Sequence, residues 1–359
     1  MTVIDPLTVE FTLSRPDGLF LFNLGRGDAV IVAPESADNN ASEPIGTGPF
    51  AFLQWDRGSR VILEQYGPYW GDKPSLTKAS YVFISDTATM TNALLAGDID
   101  GTNNFAPEAL AIFEGNPQFK VLVGSTEGET ILATNNRKAP FDNLKVRQAI
   151  AHGLDRAEII EGATYGYGVP IGTHFAPHHP YYLDLTNTYP YDPAAAKALL
   201  AEAGFPDGFS ATLKLPPVAY ARLSGQIIAS QLAQVGIKLE LINVEWAQWL
   251  EDVLTNKDFD LTIVSHVEPF DIGIYANPDY YFGYNNSEVQ ALNETLNATT
   301  DEAQRKALAG EIQTIIARDA VNGYLFELAQ TGVWNAKLDG MWPNAPVEGV
   351  VLRDIHWTE

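Results

Sequence analysis

The chain has 359 residues, of which 46% are hydrophobic and 11% aromatic, and its formal net charge is −23. The apolar fraction is sufficient for more than one hydrophobic core, whereas the acidic excess disfavours nucleic acid and anionic membrane surfaces as partners. Cysteine is absent, which excludes thiolate metal sites, thiol nucleophiles and disulfides. No apolar run approaches the roughly 20 residues of a transmembrane helix.

The first residues carry neither the basic nor the apolar segment of a secretory signal peptide. Residues 8–13 (Thr-Val-Glu-Phe-Thr-Leu) alternate polar and apolar side chains, which predicts a half-buried β-strand. We therefore expect an ordered strand close to Met1, in a chain that is either compact from its start or shortened there.

Further along, apolar residues at helical spacing alternate with short apolar runs typical of strands. Cap residues, prolines and glycines define the helix ends, and Ser287 with Gln290 and Thr299 with Glu302 have capping-box spacing. The predicted helices cover 89–96, 107–114, 143–154, segments after Asp155 and Asp192, 223–235, 246–254, 288–297 and 302–318. The predicted strands include 60–63, 237–241 and 259–264. Strands separated by helices imply α/β layers with parallel or mixed sheets.

Sequence patterns that could carry catalysis are weak one by one. Ser75 and Lys78 have the S-x-x-K spacing of serine β-lactamases, but the S-D-N and K-T-G elements are missing. Asp98 and Asp100 flank Ile99 with nothing nearby that suggests a matched acid and base. We therefore predict a protein that is not an enzyme and uses no cofactor.

Three histidines, His174, His178 and His179, offer an H-x3-H spacing that can bind a metal on a helix. Pro177 and Pro180 interrupt the helix that this geometry needs. We therefore interpret the segment as a solvated loop and predict no metal site.

One segment has the composition of a ligand-binding loop. It follows the predicted strand 259–264, and ligands in α/β proteins gather at the carboxyl ends of strands. Two acids, a histidine and several aromatic residues there could hold an amine-bearing or cationic solute; the alternative is an irregular loop that covers a domain edge. The predicted ligand-binding residues are Ser265, His266, Glu268, Phe270, Asp271 and Tyr275.

Five sequence blocks occur in an order that one known family shows. They are Pro-Ile-Gly-Thr-Gly-Pro-Phe at 44–50, Tyr-Trp-Gly-Asp-Lys-Pro at 69–74, Ala-Leu-Leu-Ala-Gly-Asp-Ile-Asp at 93–100, Pro-Phe-Asp-Asn at 140–143 with Val-Arg-Gln-Ala-Ile at 146–150, and Tyr-Asp-Pro at 191–193 with the helix up to Gly204. Together they resemble the peptide/nickel (family 5) extracytoplasmic solute-binding proteins of ABC importers. The resemblance covers nearly the whole chain.

The resemblance implies a two-lobed, periplasmic-binding-protein-like α/β fold with mixed sheets and hinge strands. Lobe I would hold residues 1–127 plus 325–359 and lobe II residues 128–324, with crossings near 124–130 and 323–327. Full-length members carry a substantial segment before the position of Val9. Lobe I is therefore expected to be incomplete, without its N-terminal part.

By the same resemblance, the chain would bind a small organic solute, peptide-like first, in the cleft between the lobes and deliver it to ABC permease subunits outside the cytoplasm. Peptide-binding members often have Gly-Trp and then an Asp where this chain has Ser265-His266, and that Asp pairs with the peptide amino group. Here Glu268 and Asp271 lie on either side of the aligned position, so opine-like, amine and sugar-derived solutes stay open. The alternatives are a hydrolase using a serine or a carboxylate pair, and a sensory binding protein without a transport role.

Overall fold

The computed structural model describes residues 1–27, 29–344 and 349–359. The chain divides into two compact units, which we call unit 1 (residues 1–29 and 127–328) and unit 2 (residues 30–126 and 329–359). Residues 1–29 thus belong to the same unit as the predicted ligand-binding loop. The lobe boundaries inferred from the sequence stay a prediction.

Helices and strands alternate along much of unit 1, as predicted, whereas in unit 2 residues 50–82 form three consecutive strands without a helix between them. In chain order the strands are β1 (Thr2–Asp5), β2 (Thr8–Glu10), β3 (Phe50–Asp56), β4 (Arg60–Gln65), β5 (Lys78–Val82), β6 (Gly101–Thr102), β7 (Phe119–Gly124), β8 (Glu129–Thr134), β9 (Gly168–Pro170), β10 (Phe209–Leu215), β11 (Ile237–Asn243), β12 (Leu261–His266), β13 (Asn322–Leu328), β14 (Gln330–Asn335), β15 (Leu338–Asp339) and β16 (His356–Trp357). The α-helices are α1 (Phe20–Leu24), α2 (Thr87–Ala96), α3 (Leu144–His152), α4 (Arg156–Thr164), α5 (Pro193–Glu202), α6 (Ala219–Gln234), α7 (Trp246–Trp249), α8 (Ser287–Ala298) and α9 (Glu302–Arg318). Short 3-10 helices cover Ala37–Asn39, Pro107–Ile112 and Ile272–Ala276, and a π-helical turn, Leu250–Thr255, continues α7.

A six-stranded mixed sheet with the order β11-β10-β12-β8-β13-β9 forms the centre of unit 1. Strand β10 is parallel to β11 and β12, whereas β8 is antiparallel to β12 and β13. Successive side chains point to opposite faces of a sheet, so each face carries its own core. Leu132 and Ile263 belong to the core that includes α3, α4, α5 and α6. Ile131 and Val264 belong to the core that includes α8 and α9.

Unit 2 contains smaller antiparallel sheets. They have the orders β3-β4-β5, β6-β14-β7 and β15-β16. Trp334, Leu338 and Ile355 form a small buried cluster within this unit. No helix in the described ranges is both long and apolar enough to cross a lipid bilayer.

Side-chain caps confirm several predicted helix starts. Asp86 accepts a hydrogen bond from the backbone N–H of Thr89 (2.7 Å) at the start of α2, and Gly97 ends that helix at φ 76°. Asp192 caps α5 in the same way, with Pro193 at its first position. Local sequence therefore determines these helix ends.

Two predicted caps are wrong. Asn286 caps α8 because it lies in extended conformation just before the helix, whereas Ser287 is already helical. Asp301, not Thr299, caps α9. The hydroxyl of Thr299 donates instead to the carbonyl of Thr295 in the preceding helix. A hydroxyl that bonds back to its own helix is not available as a cap.

The strand predicted over residues 8–13 is shorter than expected. Strand β2 ends at Glu10 and pairs only with β1. The expectation that it is half-buried is wrong, because Val9, Phe11 and Leu13 are all exposed. The alternation indicates a strand, but this two-stranded hairpin has no buried face.

Candidate functional site

The site lies in unit 1, at the sheet edge where β12 and β13 end and β8 begins. Glu129, the first residue of β8, pairs with His266 on one side and with Glu327 on the other. Directly paired residues point to the same face of a sheet. The side chains of His266, Glu129 and Glu327 therefore form one row, which we call the edge row.

The predicted ligand-binding loop starts at this row. Ser265 and His266 end β12, Glu268, Phe270 and Asp271 lie in the turn that follows, and Tyr275 lies in the 3-10 helix Ile272–Ala276. The backbone of Phe270 has φ 63°, a left-handed conformation that is uncommon for an aromatic residue. The turn is therefore tightly constrained, as is frequent at binding sites.

The structure brings His266, Glu268 and Asp271 together, with one donor atom of each within 4.8 Å of the others; we call them the acid–histidine trio. His266 is buried and stacks on Tyr281, whose hydroxyl lies 3.1 Å from its Nε2. Burial lowers the pKa of His266 to about 4, even though Asp271 opposes this effect. The imidazole is therefore neutral at pH 7, beside two carboxylates.

These donors suit a cation, either an ammonium group or a divalent metal ion. The expectation of no metal site therefore stays a prediction. A cavity of about 130 Å³ opens beside Phe270 and Asp271. That volume is below the roughly 300 Å³ at which small-molecule sites begin, so it can take only part of a solute.

Asp271 has a counter-ion within the protein. His174 is fully buried, and its Nε2 lies 2.5 Å from Oδ1 of Asp271. Burial alone would lower the pKa of His174, but Asp271 and Glu129 together raise it to about 9. Burial likewise opposes ionisation of Asp271, yet the charge of His174 lowers the pKa of that carboxyl. The two groups therefore form an ion pair at neutral pH.

The interpretation of residues 174–180 as a solvated loop is wrong for His174 and His179, both of which are buried. Phe175 stacks on His179 with ring centroids 4.1 Å apart, and both rings contact Tyr181. The prolines do prevent a helix here. The aromatic side chains nevertheless draw the loop into the core, whereas His178 and Pro180 stay exposed.

Three predicted ligand-binding residues, Phe270, Tyr275 and Ser265, do not belong to the trio and have different contacts. The ring of Phe270 packs edge-on against Phe22 and His179. Tyr275 is fully buried, and its hydroxyl accepts a hydrogen bond from Asn322 (3.3 Å). Ser265 precedes His266 in β12, so its side chain points to the opposite sheet face. Contacts of these three residues with a solute stay a prediction.

Sequence reasoning missed three carboxyl groups near the edge row: Glu127, Glu129 and Glu327. Burial raises the pKa of Glu129 to about 8, with Asp271 and Glu127 adding to the effect and His174 opposing it. His178 lies between the other two: its Nε2 is 2.9 Å from Glu127 and its Nδ1 is 3.3 Å from Glu327. A single acid inside an apolar strand, as in Leu-Phe-Glu-Leu at 325–328, is a signal that could have indicated Glu327; Glu127 and Glu129, before and at the start of β8, carry no such signal.

The rival serine site is not assembled in unit 2. Lys78 begins β5, and Ser75 precedes it in an exposed, non-helical connection. The lysine is therefore not one helical turn beyond the serine, as the S-x-x-K chemistry requires.

Comparison with known proteins gives one consistent family. Residues 1–293 match a family model described as bacterial extracellular solute-binding proteins, family 5 middle. Heme-binding protein A of Haemophilus influenzae is 30% identical over 347 residues, which cover 88% of this chain and 62% of that protein. The dipeptide-binding protein of Escherichia coli is 30% identical over 262 residues, which cover 69% of this chain and 49% of that protein. The chain thus spans only part of the length of these relatives.

A solved structure gives the same result for the fold. The ABC transporter-associated periplasmic binding protein DppA from Helicobacter pylori, in complex with peptide STSA, matches with a TM-score of 0.82 at 24% identity, covering 97% of this chain and 72% of that chain. The predicted periplasmic-binding-protein-like α/β fold is confirmed. The relatives and the structural neighbour are substrate-binding proteins, not enzymes.

Proposed function

Because the chain belongs to the family 5 bacterial extracellular solute-binding proteins, we propose that it captures a small amine-bearing, peptide-like solute at the acid–histidine trio. The solute would then pass to an ABC permease outside the cytoplasm. The observation that carries the proposal is the convergence of Glu268 and Asp271 with His266 at the carboxyl end of β12. Loops at that end of a strand are where α/β folds bind ligands.

The charge balance of the trio favours a cationic group. Glu268 is exposed. Among the described residues, its carboxylate accepts one hydrogen bond, from the backbone N–H of the neighbouring Val267 (3.2 Å). Asp271 is mostly buried and shares its charge with His174. A protonated amine supplies three donors and the missing positive charge. Its ion pair with Asp271 gains from the reduced solvent screening of a partly buried site.

The relatives support a solute of this class. One is named for dipeptides, and the structural neighbour holds the peptide STSA. Another is named for heme, so the family name alone does not select a ligand. The acidic character of the trio is what favours the free amino group of a peptide-like solute over a purely anionic ligand.

Native mass spectrometry of gently purified protein, followed by calorimetric titration of the solute it carries, tests the proposal. We expect Asp271→Asn and Glu268→Gln each to weaken binding at least tenfold, because each removes a carboxylate from the amine site. Glu294→Gln removes an exposed carboxylate of α8 and serves as the matched control. Unchanged affinity in both trio variants would exclude this site.

A further inference from the structure

Glu129 and Glu327 form an arrangement that the fold itself does not favour. They pair directly across the antiparallel strands β8 and β13, and they are only 1% and 3% exposed. A buried carboxyl group costs free energy, either in desolvation when it is ionised or in a raised pKa when it is held protonated, and a second carboxyl group directly opposite it adds to that cost. Local rules of folding are broken most often at functional sites. This pair therefore calls for a functional explanation.

A third carboxyl group, Glu127, completes the cluster, and we call Glu127, Glu129 and Glu327 the second acidic pole. One imidazole, that of His178, lies between two of these carboxyl groups, Glu127 and Glu327. Oε2 of Glu129 and Oε2 of Glu127 are buried without a hydrogen-bond partner among the residues that the structure describes. Glu127 and Glu129 thus keep acceptor capacity that the described residues do not use.

The second acidic pole and the trio lie along the same edge row. His266, Glu129 and Glu327 occupy three neighbouring strands. Strands are about 4.8 Å apart, so the two ends of the row are separated by roughly 10 Å. Carboxyl groups accompany both ends: Glu268 and Asp271 lie beside His266, and Glu127 lies near Glu327 on the other side of His178. A single solute that carries a cation at each end matches this spacing.

We infer that the solute has two cationic groups, one bound at Glu268 and Asp271 and the other at the second acidic pole. The ligand class is a peptide that has a basic side chain in addition to its free amino group. The inference rests on the proposed function, because it assumes that the first cation occupies the trio.

Electrostatics at Glu129 agree with this assignment. Burial raises the pKa of this carboxyl to about 8, so without a solute it is mostly protonated at pH 7. A cation placed beside it favours the ionised form and lowers its pKa. The carboxyl group thus limits its own burial cost while the site is empty and gains a charge when a cation arrives.

Calorimetric titration with the dipeptides Gly-Lys and Gly-norleucine tests the inference. The two peptides have the same linear side chain and differ only in the terminal ammonium group. We expect Gly-Lys to bind at least tenfold more tightly than Gly-norleucine. Glu129→Gln, which keeps the shape of a protonated glutamate, should remove that difference. Glu294→Gln should preserve it, and thermal unfolding checks that each variant is folded.

The outcomes separate the two proposals. Equal affinity for the two peptides overturns the second acidic pole and leaves the amine site standing. Binding of neither peptide overturns both. A difference that survives in Glu129→Gln and also in Glu327→Gln shows that the ammonium group binds elsewhere, which also overturns the inference.

Discussion

Replacing Asp271 by asparagine should change how the stability of the protein depends on pH. In the folded protein His174 is buried against Asp271, which holds it in its charged form. The asparagine of the variant would keep the size of the side chain and remove its charge. His174 would then lose its principal counter-ion, and burial would favour the neutral imidazole.

The magnitude follows from the pKa of His174, which is about 9 in the folded protein against an ordinary value of 6.5. This difference corresponds to about 3 kcal/mol of stability at low pH. Because the folded-state pKa is the higher one, the contribution is complete below pH 6.5 and is lost as the pH rises through 9. The pKa of Glu129 is also raised in the folded protein, to about 8. Its contribution to stability is therefore likewise lost as the pH rises, over the range from about 4.5 to 8.

Urea unfolding between pH 6 and 10 measures this effect. The wild-type free energy of unfolding should fall across the window, whereas Asp271→Asn should lose much of that slope and be less stable at pH 6. Glu129→Gln is the matched comparison, since it removes the contribution of Glu129 but leaves a counter-ion for His174. Parallel pH profiles for the wild type and Asp271→Asn would refute the ion pair as the cause.

Two further outcomes concern the core and acid stability. Leu132→Ala, on a fully buried strand position of unit 1, should lower the free energy of unfolding by about 2–5 kcal/mol in urea titration, because it leaves a cavity; a loss below about 1 kcal/mol would argue against tight packing there. His266 and His179 have pKa values lowered to about 4, chiefly by burial. Their contribution to stability is complete above pH 6.5 and is lost as the pH falls through 4. His266→Gln should therefore reduce the loss of stability between pH 6.5 and 4. An unchanged loss over this range would contradict the burial argument.

Features set by neighbouring residues were predictable from the sequence. The cap of α2 at Asp86 depends on a contact only three residues away, and β12 depends on a short apolar run, although the strand continues to His266, two residues beyond the predicted end. That strand end located the loop that contains the trio. The convergence of Glu268 and Asp271 follows from the short turn between them.

Features set by distant residues were not predictable. His174 and Asp271 are 97 positions apart, and no local pattern indicates their contact. Glu129 and Glu327 meet because β8 and β13 are neighbours, which depends on the strand order of the whole sheet. The proline argument for residues 174–180 judged helix formation correctly but could not show that the loop packs inward.

The facing glutamates of β8 and β13 also indicate where this fold is least optimised. Natural proteins retain a locally unfavourable arrangement when activity depends on it, and such positions are where stabilising changes tend to cost function. An engineer who wanted only a robust scaffold would begin by replacing Glu129 or Glu327 with an aliphatic residue. A search for variants with new ligand preferences should begin at the same two positions and for the opposite reason, since the proposed second cation of the solute would be recognised there.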